Sequence, residues 1–180
     1  MFKRQMLKLV VVLVVAFLPR ISHAQFFQME AKYILNFAYF TIWPQSFPSG
    51  NFEIYVLGSS EMAEQVQAAF NRKKVMDHPV KITEFKNGND LKGTKPHIVY
   101  VSYNLIEKLD EIMDATSEAG SLVVVEVKDT KKTKPVIAFI NEGESFKYAI
   151  NFPEAQKRNL KFQDQMLKLS TKLPEYGGGK

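Results

Sequence analysis

A chain of 180 residues holds one domain and is short for two. Its formal charge of +5 is unevenly placed: Lys3, Arg4, Lys8 and Arg20 fall in the first 24 positions, which contain no Asp or Glu, and taking them from the 24 basic residues leaves 20 against 19 acidic. That near-neutral remainder gives no support for nucleic-acid binding, and the complete absence of Cys excludes disulfides, thiolate nucleophiles, thiol switches and Cys-based metal sites.

The N-terminus reads as an export signal. Lys3, Arg4 and Lys8 form a positive region, and Leu7 to Leu18 is an apolar run too short to cross a bilayer. Ser22-His23-Ala24 sets small residues where a signal peptidase reads them, so cleavage is expected after Ala24. The alternative is an uncleaved anchor. A lipoprotein would need a Cys at the cleavage site, and none is there. The expected organisation is a signal peptide over 1–24, one domain over 25–173 and a flexible tail over 174–180.

Glu30 to Pro44 is the stretch around which the domain is arranged. On a helix, Tyr33, Ile34, Leu35, Phe37, Ala38, Phe40, Thr41 and Ile42 cover most of the circumference, and Lys32, Asn36, Tyr39 and Trp43 make a narrow polar stripe. Such a helix is expected to be buried on more than one side and to stop at Pro44, which disfavours helix at Trp43.

Phe52–Leu57 reads as an apolar strand, and Gly58-Ser59-Ser60 as a turn into a helix over 61–72 with Ser60 as N-cap. Asn71-Arg72-Lys73-Lys74 closes that helix with positive charge. Pro79–Phe85 alternates like a strand, Asn87-Gly88 signals a turn, and His97–Ser102 reads as a strand buried on both faces. Asn104 with Glu107 resembles a capping box, Leu105, Leu109, Ile112 and Met113 form a helical face, and Gly120 is the expected stop. Leu122–Val127 is a further strand. Apolar strands alternating with helices point to a parallel sheet covered on both faces.

The pattern then changes. Val136–Asn141 and Phe146–Asn151 flank Glu142-Gly143-Glu144-Ser145 as a hairpin. Asn151, Pro153 and Glu154 start another helix, and Leu160, Phe162, Met166, Leu167, Leu169 and Leu173 supply a final apolar helical face. The fold expected is α/β: a single three-layer Rossmann-like domain, with a mostly parallel sheet and a C-terminal hairpin.

Chemistry is harder to find. Gly58-Ser59-Ser60 sits where doubly wound proteins bind phosphate, and Glu84 where a ribose-binding acid would stand, but one Gly occurs where the dinucleotide fingerprint needs three. His78 and His97 have no partner at metal-site spacing, and no GxSxG elbow occurs. Glu142 and Glu144 read as solvated hairpin acids, and Lys128–Lys134 as a solvated basic loop with an acidic partner or lipid headgroups as the alternative. No catalytic residue, cofactor or metal is expected. The candidate site is the aromatic edge: Lys32, Asn36, Tyr39 and Trp43 are the expected partner-binding or dimer residues, since exposed Tyr and Trp are favoured at binding surfaces. The competing reading folds Trp43 over the sheet end as core.

The helix Lys32, Asn36, Phe37, Phe40, Trp43, Pro44 resembles the opening Lys-x-x-x-x-Asn-Phe-x-x-Phe-x-x-Trp-Pro pattern of the YfiR-like family. Val56-Leu57-Gly58, His97-Ile98-Val99-Tyr100-Val101 and Phe146 to Asn151 are similar to later family features, and the likeness spans Glu30 to Leu173. The resemblance implies a periplasmic regulator, without nucleotide, that binds the periplasmic domain of an inner-membrane diguanylate cyclase or sensor kinase and so controls cyclic-di-GMP and biofilm growth. Regulators of this kind that switch through disulfides need cysteines, which this chain lacks. Lys134-Pro135-Val136 also stands where the family commonly has glycines. The alternative function is a small periplasmic solute-binding protein using the cleft at the strand ends.

Overall fold

The computed structural model describes residues 23–44, 50–91, 93–142 and 145–177. The charged and apolar parts of the export signal lie outside these residues, as does Glu144.

The first helix, α1 (His23–Phe40), begins before the apolar stretch and includes Ala24, the expected cleavage position. It ends at Phe40, earlier than Pro44 alone would require. Thr41–Ile42 is a short strand, β1, paired antiparallel with β9 (Lys161–Phe162). Two β-branched residues just ahead of a Pro-restricted Trp43 favour extended backbone, and the Gln163 N–H donates to the Phe40 carbonyl at 2.9 Å, satisfying a helix-end acceptor. Trp43 is therefore not on the helix, and the expected four-residue stripe is broken at its last member.

Seven strands form the main sheet: β2 (Phe52–Leu57), β3 (Lys74–Val75), β4 (His78–Phe85), β5 (Ile98–Val101), β6 (Leu122–Val127), β7 (Ile137–Glu142) and β8 (Ser145–Ile150), in the order β3-β4-β2-β5-β6-β7-β8. β4, β2, β5, β6 and β7 run parallel, while β3 and β8 are antiparallel to their neighbours. The fold is thus mixed α/β with a mostly parallel sheet, and the C-terminal hairpin is β7–β8. β3 has no signal in the hydropathy pattern. It forms because Met76 and Asp77 both take positive φ (50° and 63°), the combination a two-residue hairpin turn requires but which Met seldom supplies.

Between β2 and β4 lies α2 (Ser60–Ala69). Its cap is Ser59, not Ser60: the Ser59 hydroxyl accepts from the Met62 N–H at 3.1 Å, while the Ser60 hydroxyl donates to the Glu84 carboxylate. After β5, a 3₁₀ stretch (Tyr103–Lys108) precedes α3 (Leu109–Ala115). The Asn104 capping box does not form, because the Asn104 amide donates to the Gly58 carbonyl at 3.2 Å instead. After β8, Asn151 does cap α4 (Phe152–Lys157), accepting from the Glu154 N–H at 3.3 Å. No single final helix follows. Asn159 takes a left-handed turn (φ 56°), the chain forms β9, and only then α5 (Asp164–Leu169). Nor is the chain after Leu173 loose as far as Tyr176, which is fully buried with its hydroxyl donating to the Thr133 carbonyl.

The core lies on both sides of the sheet. Ile34, Phe37 and Ala38 of α1 are at most 1% exposed. Phe37 stacks on Phe139 of β7 (5.7 Å between ring centroids) and meets Tyr148 of β8 edge-on (5.0 Å); Tyr33 packs against Phe146 at 5.1 Å. On the opposite face a Cβ at Gly88 would lie 2.8 Å from Ile112 of α3 and 3.8 Å from Leu57, so the absence of a side chain there lets the helix close onto β2.

Three buried polar groups are held within this core. Arg158 is 1% exposed, and its guanidinium donates to Glu154 (3.0 Å), Thr116 Oγ1 (3.1 Å), the Ser121 carbonyl (3.2 Å) and the Met113 carbonyl (2.6 Å). His97 stacks on Phe52 at 4.2 Å and accepts the Glu53 N–H at Nδ1 (3.1 Å); burial lowers its pKa to about 4. Glu30 of α1 is 4% exposed and accepts the Tyr100 hydroxyl at 3.1 Å. Burial, reinforced by Glu126, raises its pKa to about 8.

Two outcomes follow from these groups. Arg158→Met is expected to lower stability in chemical denaturation by about 3 kcal/mol, because Glu154 and the buried carbonyls lose their donor; a change of a few tenths would show the network to be dispensable. Glu30, protonated in the native state and ionised when unfolded, contributes stability that is present below about pH 4.5 and is lost as pH rises toward about 8. Glu30→Gln is therefore expected to gain about 3 kcal/mol at pH 7 relative to pH 4 in urea midpoints, and a gain independent of pH would sink the assignment. His97 works in the opposite direction: the stability it confers is full above about pH 6.5 and falls toward pH 4, so it does not mask the Glu30 effect on the alkaline side.

Candidate functional site

Lys32, Asn36 and Tyr39 share one face of α1 and all are exposed, Tyr39 at 41%. Trp43 departs from them at 8% exposure. Its indole N–H donates to the Ala38 carbonyl at 3.0 Å, and its ring meets Phe52 and His97 edge-on at 5.2 and 5.8 Å. Phe52 opens β2 and His97 precedes β5, so Trp43 closes the N-terminal end of the parallel strands. This is the core placement that competed with an exposed Trp in the sequence.

Two apolar residues with no sequence signal for exposure accompany the α1 face. Among the described residues, the exposed large hydrophobics are Tyr39, Ile42 (51%), Met76, Tyr103 and Leu169 (69%). Asn36, Phe40 and Leu169 border one small cleft between α1 and α5, and Ile42 and Leu167 border a second, larger one. Leu169 thus lies across a cleft from Asn36 of α1, and Ile42 shares the other cleft with Leu167 of α5. Ile42 is legible only afterwards: a residue alternating with buried Thr41 and Trp43 on a short edge strand must face outward. Leu169 carries no such signal, because its exposure depends on the break before α5.

The polar side chains at the strand-end positions considered for a ligand are engaged within the protein. Ser59 is used as a cap and Ser60 is bonded to Glu84. A Cβ at Gly58 would lie 2.6 Å from the Asn104 side chain and 3.0 Å from Leu105, so the chain packs closely at that turn, while an open cleft of about 510 Å³ remains beside it between α2 and β4, bordered by Ser60, Gln67, Ile82 and Glu84. His78 Nδ1 lies 2.6 Å from the Gly50 carbonyl, and among the described residues no group of three or more His, Asp or Glu could hold a metal ion. No described helix is long and apolar enough to cross a membrane.

A mixed α/β domain built on an aromatic-rich first helix is the class that the fold defines. The chain matches the YfiR/HmsC-like family over residues 27–171 and belongs to that family. The family is one of periplasmic regulators of cyclic-di-GMP signalling. No curated protein sequence matches the chain. Among solved structures it is similar to a conserved domain protein from Vibrio cholerae O1 biovar El Tor str. N16961, with a TM-score of 0.54 at 9% identity. That likeness covers 78% of this chain and 59% of the other, and it concerns the fold alone.

Burial separates the candidate residues experimentally. Trp43→Ala is expected to cost about 4 kcal/mol in denaturant unfolding, and Tyr39→Ala less than about 0.5 kcal/mol. Equal effects would show that Tyr39 is packed or that Trp43 is not.

Proposed function

We propose that this chain is an exported regulator that docks on the periplasmic domain of an inner-membrane diguanylate cyclase or sensor kinase. The carrying observation is the exposure of Tyr39 on the α1 face that carries Lys32 and Asn36, of Leu169 across the α1–α5 cleft from Asn36, and of Ile42 just beyond α1. Large apolar side chains exposed together are favoured at protein interfaces, with a polar rim around them. Family membership supports the regulatory role, and the export signal over 1–24, with cleavage after Ala24, supports the compartment. The fold serves as a Rossmann-like three-layer scaffold without a nucleotide.

The mechanism is differential binding. A regulator that holds one state of its receptor's sensor domain more tightly than another shifts the equilibrium toward that state, by no more than its difference in affinity. Thiol chemistry cannot set that difference in a chain without Cys. Trp43 contributes by holding Pro44 and β1 in place beneath Ile42, and a homodimer through the same surface is the competing use of the patch.

The test is capture on immobilised exported chain from detergent-solubilised inner membranes, with retained proteins identified by mass spectrometry. A cyclase or kinase bearing a periplasmic domain is expected on the wild type and absent from Leu169→Glu, whose melting temperature should be unchanged. Failure to retain such a receptor, or equal retention by the variant, would overturn the docking reading.

A further inference from the structure

A second site lies next to that surface and does not rest on the docking reading. Between the β1–β9 pair and α4 is a cavity of about 750 Å³. This is within the size range of small-molecule sites, roughly 300–1,000 Å³. Its walls are apolar: Ile42, Trp43, Phe152, Leu160, Phe162 and Leu167. The Trp43 N–H is engaged with the Ala38 carbonyl, so the indole lines the cavity with ring carbon.

The polar groups at the cavity are few and of one kind. Gln156 and Asn159 are neutral, and Lys161 is the only charged residue lining it. Among the described residues Lys161 has no ion-pair partner. No carboxylate lines the cavity; the nearby Glu154 is committed to Arg158 and Lys157 at 3.0 and 3.1 Å. The cavity therefore favours an apolar body by burial and an anionic head by charge, and no carboxylate lines it to neutralise a cationic head, for which the aromatic rings are the competing attraction.

The surroundings make the cavity a built feature. Arg158 fixes the end of α4, Asn159 turns sharply away with φ 56°, and Gly120 lets the backbone of Arg158 approach. A Cβ at Gly120 would lie 3.0 Å from the Arg158 carbonyl and 3.5 Å from Pro44. These contacts hold the α4 side of the cavity at a set distance from the Trp43-Pro44 side. The position is at the N-terminal ends of the parallel strands, opposite the crevice that doubly wound proteins use.

We infer that this cavity is a binding site for a small amphipathic carboxylate of the fatty-acid class, its alkyl chain against Trp43, Phe152 and Phe162 and its carboxylate at Lys161. Such a molecule is a soluble input that a regulator without Cys can read, and Ile42 belongs both to the cavity wall and to the exposed patch.

Trp43 is the single Trp of the chain and lines the cavity, so its emission reports occupancy directly. The exported chain would be titrated with decanoate below its micelle concentration, and in parallel with decanol and decyltrimethylammonium. Saturable change is expected with decanoate, weaker binding with decanol and weakest with the cation. Lys161→Met is expected to weaken decanoate about fivefold, the scale of an exposed ion pair, and to leave decanol unchanged. The melting temperature should rise with decanoate in the wild type. A Trp43 signal that does not saturate, equal affinity for all three head groups, or unchanged decanoate affinity in Lys161→Met would each overturn the proposal. None of these outcomes bears on receptor capture, so the two readings fail separately.

Discussion

Burial of the Arg158 guanidinium is the constraint on which the arrangement of the site end depends. A cation with five N–H donors cannot leave water unless acceptors are already aimed at it. Here they come from three parts of the chain: Glu154 of α4, Met113 and Thr116 at the end of α3, and Ser121 just before β6. The guanidinium thus bonds one carbonyl of the last turn of α3, that of Met113, where a positive charge also suits the helix dipole. Burial works against both charges of the Arg158–Glu154 pair. The bonds from Arg158 and Lys157 outweigh it at Glu154, whose carboxyl stays below the usual range, whereas burial prevails at Arg158 and lowers its pKa. The Arg158 bonds thus tie α3, α4 and the start of β6 together, and Pro44 is packed against them at Gly120.

The other face is organised by shape rather than charge. Tyr33 and Phe37 of α1 interlock with Phe139, Phe146 and Tyr148, an aromatic set supplied by one helix and the β7–β8 hairpin. This contact explains why a hairpin follows four parallel crossings: β8 brings Tyr148 beside Phe139 in register, so both rings face α1. Glu30 is the exception in that apolar face. Keeping a carboxyl protonated against Tyr100 and near Glu126 opposes stability above its unfolded pKa, and ties the docking of α1 to pH.

A regulator needs a rigid body and a surface not used by its own core. The parallel sheet and its aromatic packing supply the first. In the proposed docking the second lies where α1 stops, the chain runs through β1, and the β1–β9 pair forms a sheet separate from the main one. The strands there are short, α5 has six residues, and a cavity opens beside them. Function at this end is consistent with the general pattern that binding surfaces lie on the less tightly packed periphery of a stable scaffold.

Much was legible in the sequence, and the reason is periodicity. Continuous β-branched runs marked β2, β5 and β6, Asn151 with Pro153 marked α4, and the apolar face of α1 marked the helix that the core is built on. Hydropathy and cap chemistry act locally, so these could be read without knowing the neighbours. The exposed stripe of Lys32, Asn36 and Tyr39 was legible for the same reason. Tertiary structure alone decided the rest. Trp43 left the stripe because β9, more than a hundred residues away, paired with Thr41 and Ile42. Asn104 forsook its cap for the Gly58 carbonyl, the Leu160–Leu173 pattern broke at Asn159, and Arg158 became core. Each of these rests on a partner distant in sequence, and no local pattern carries information about which distant acceptor, strand or ring a side chain will meet.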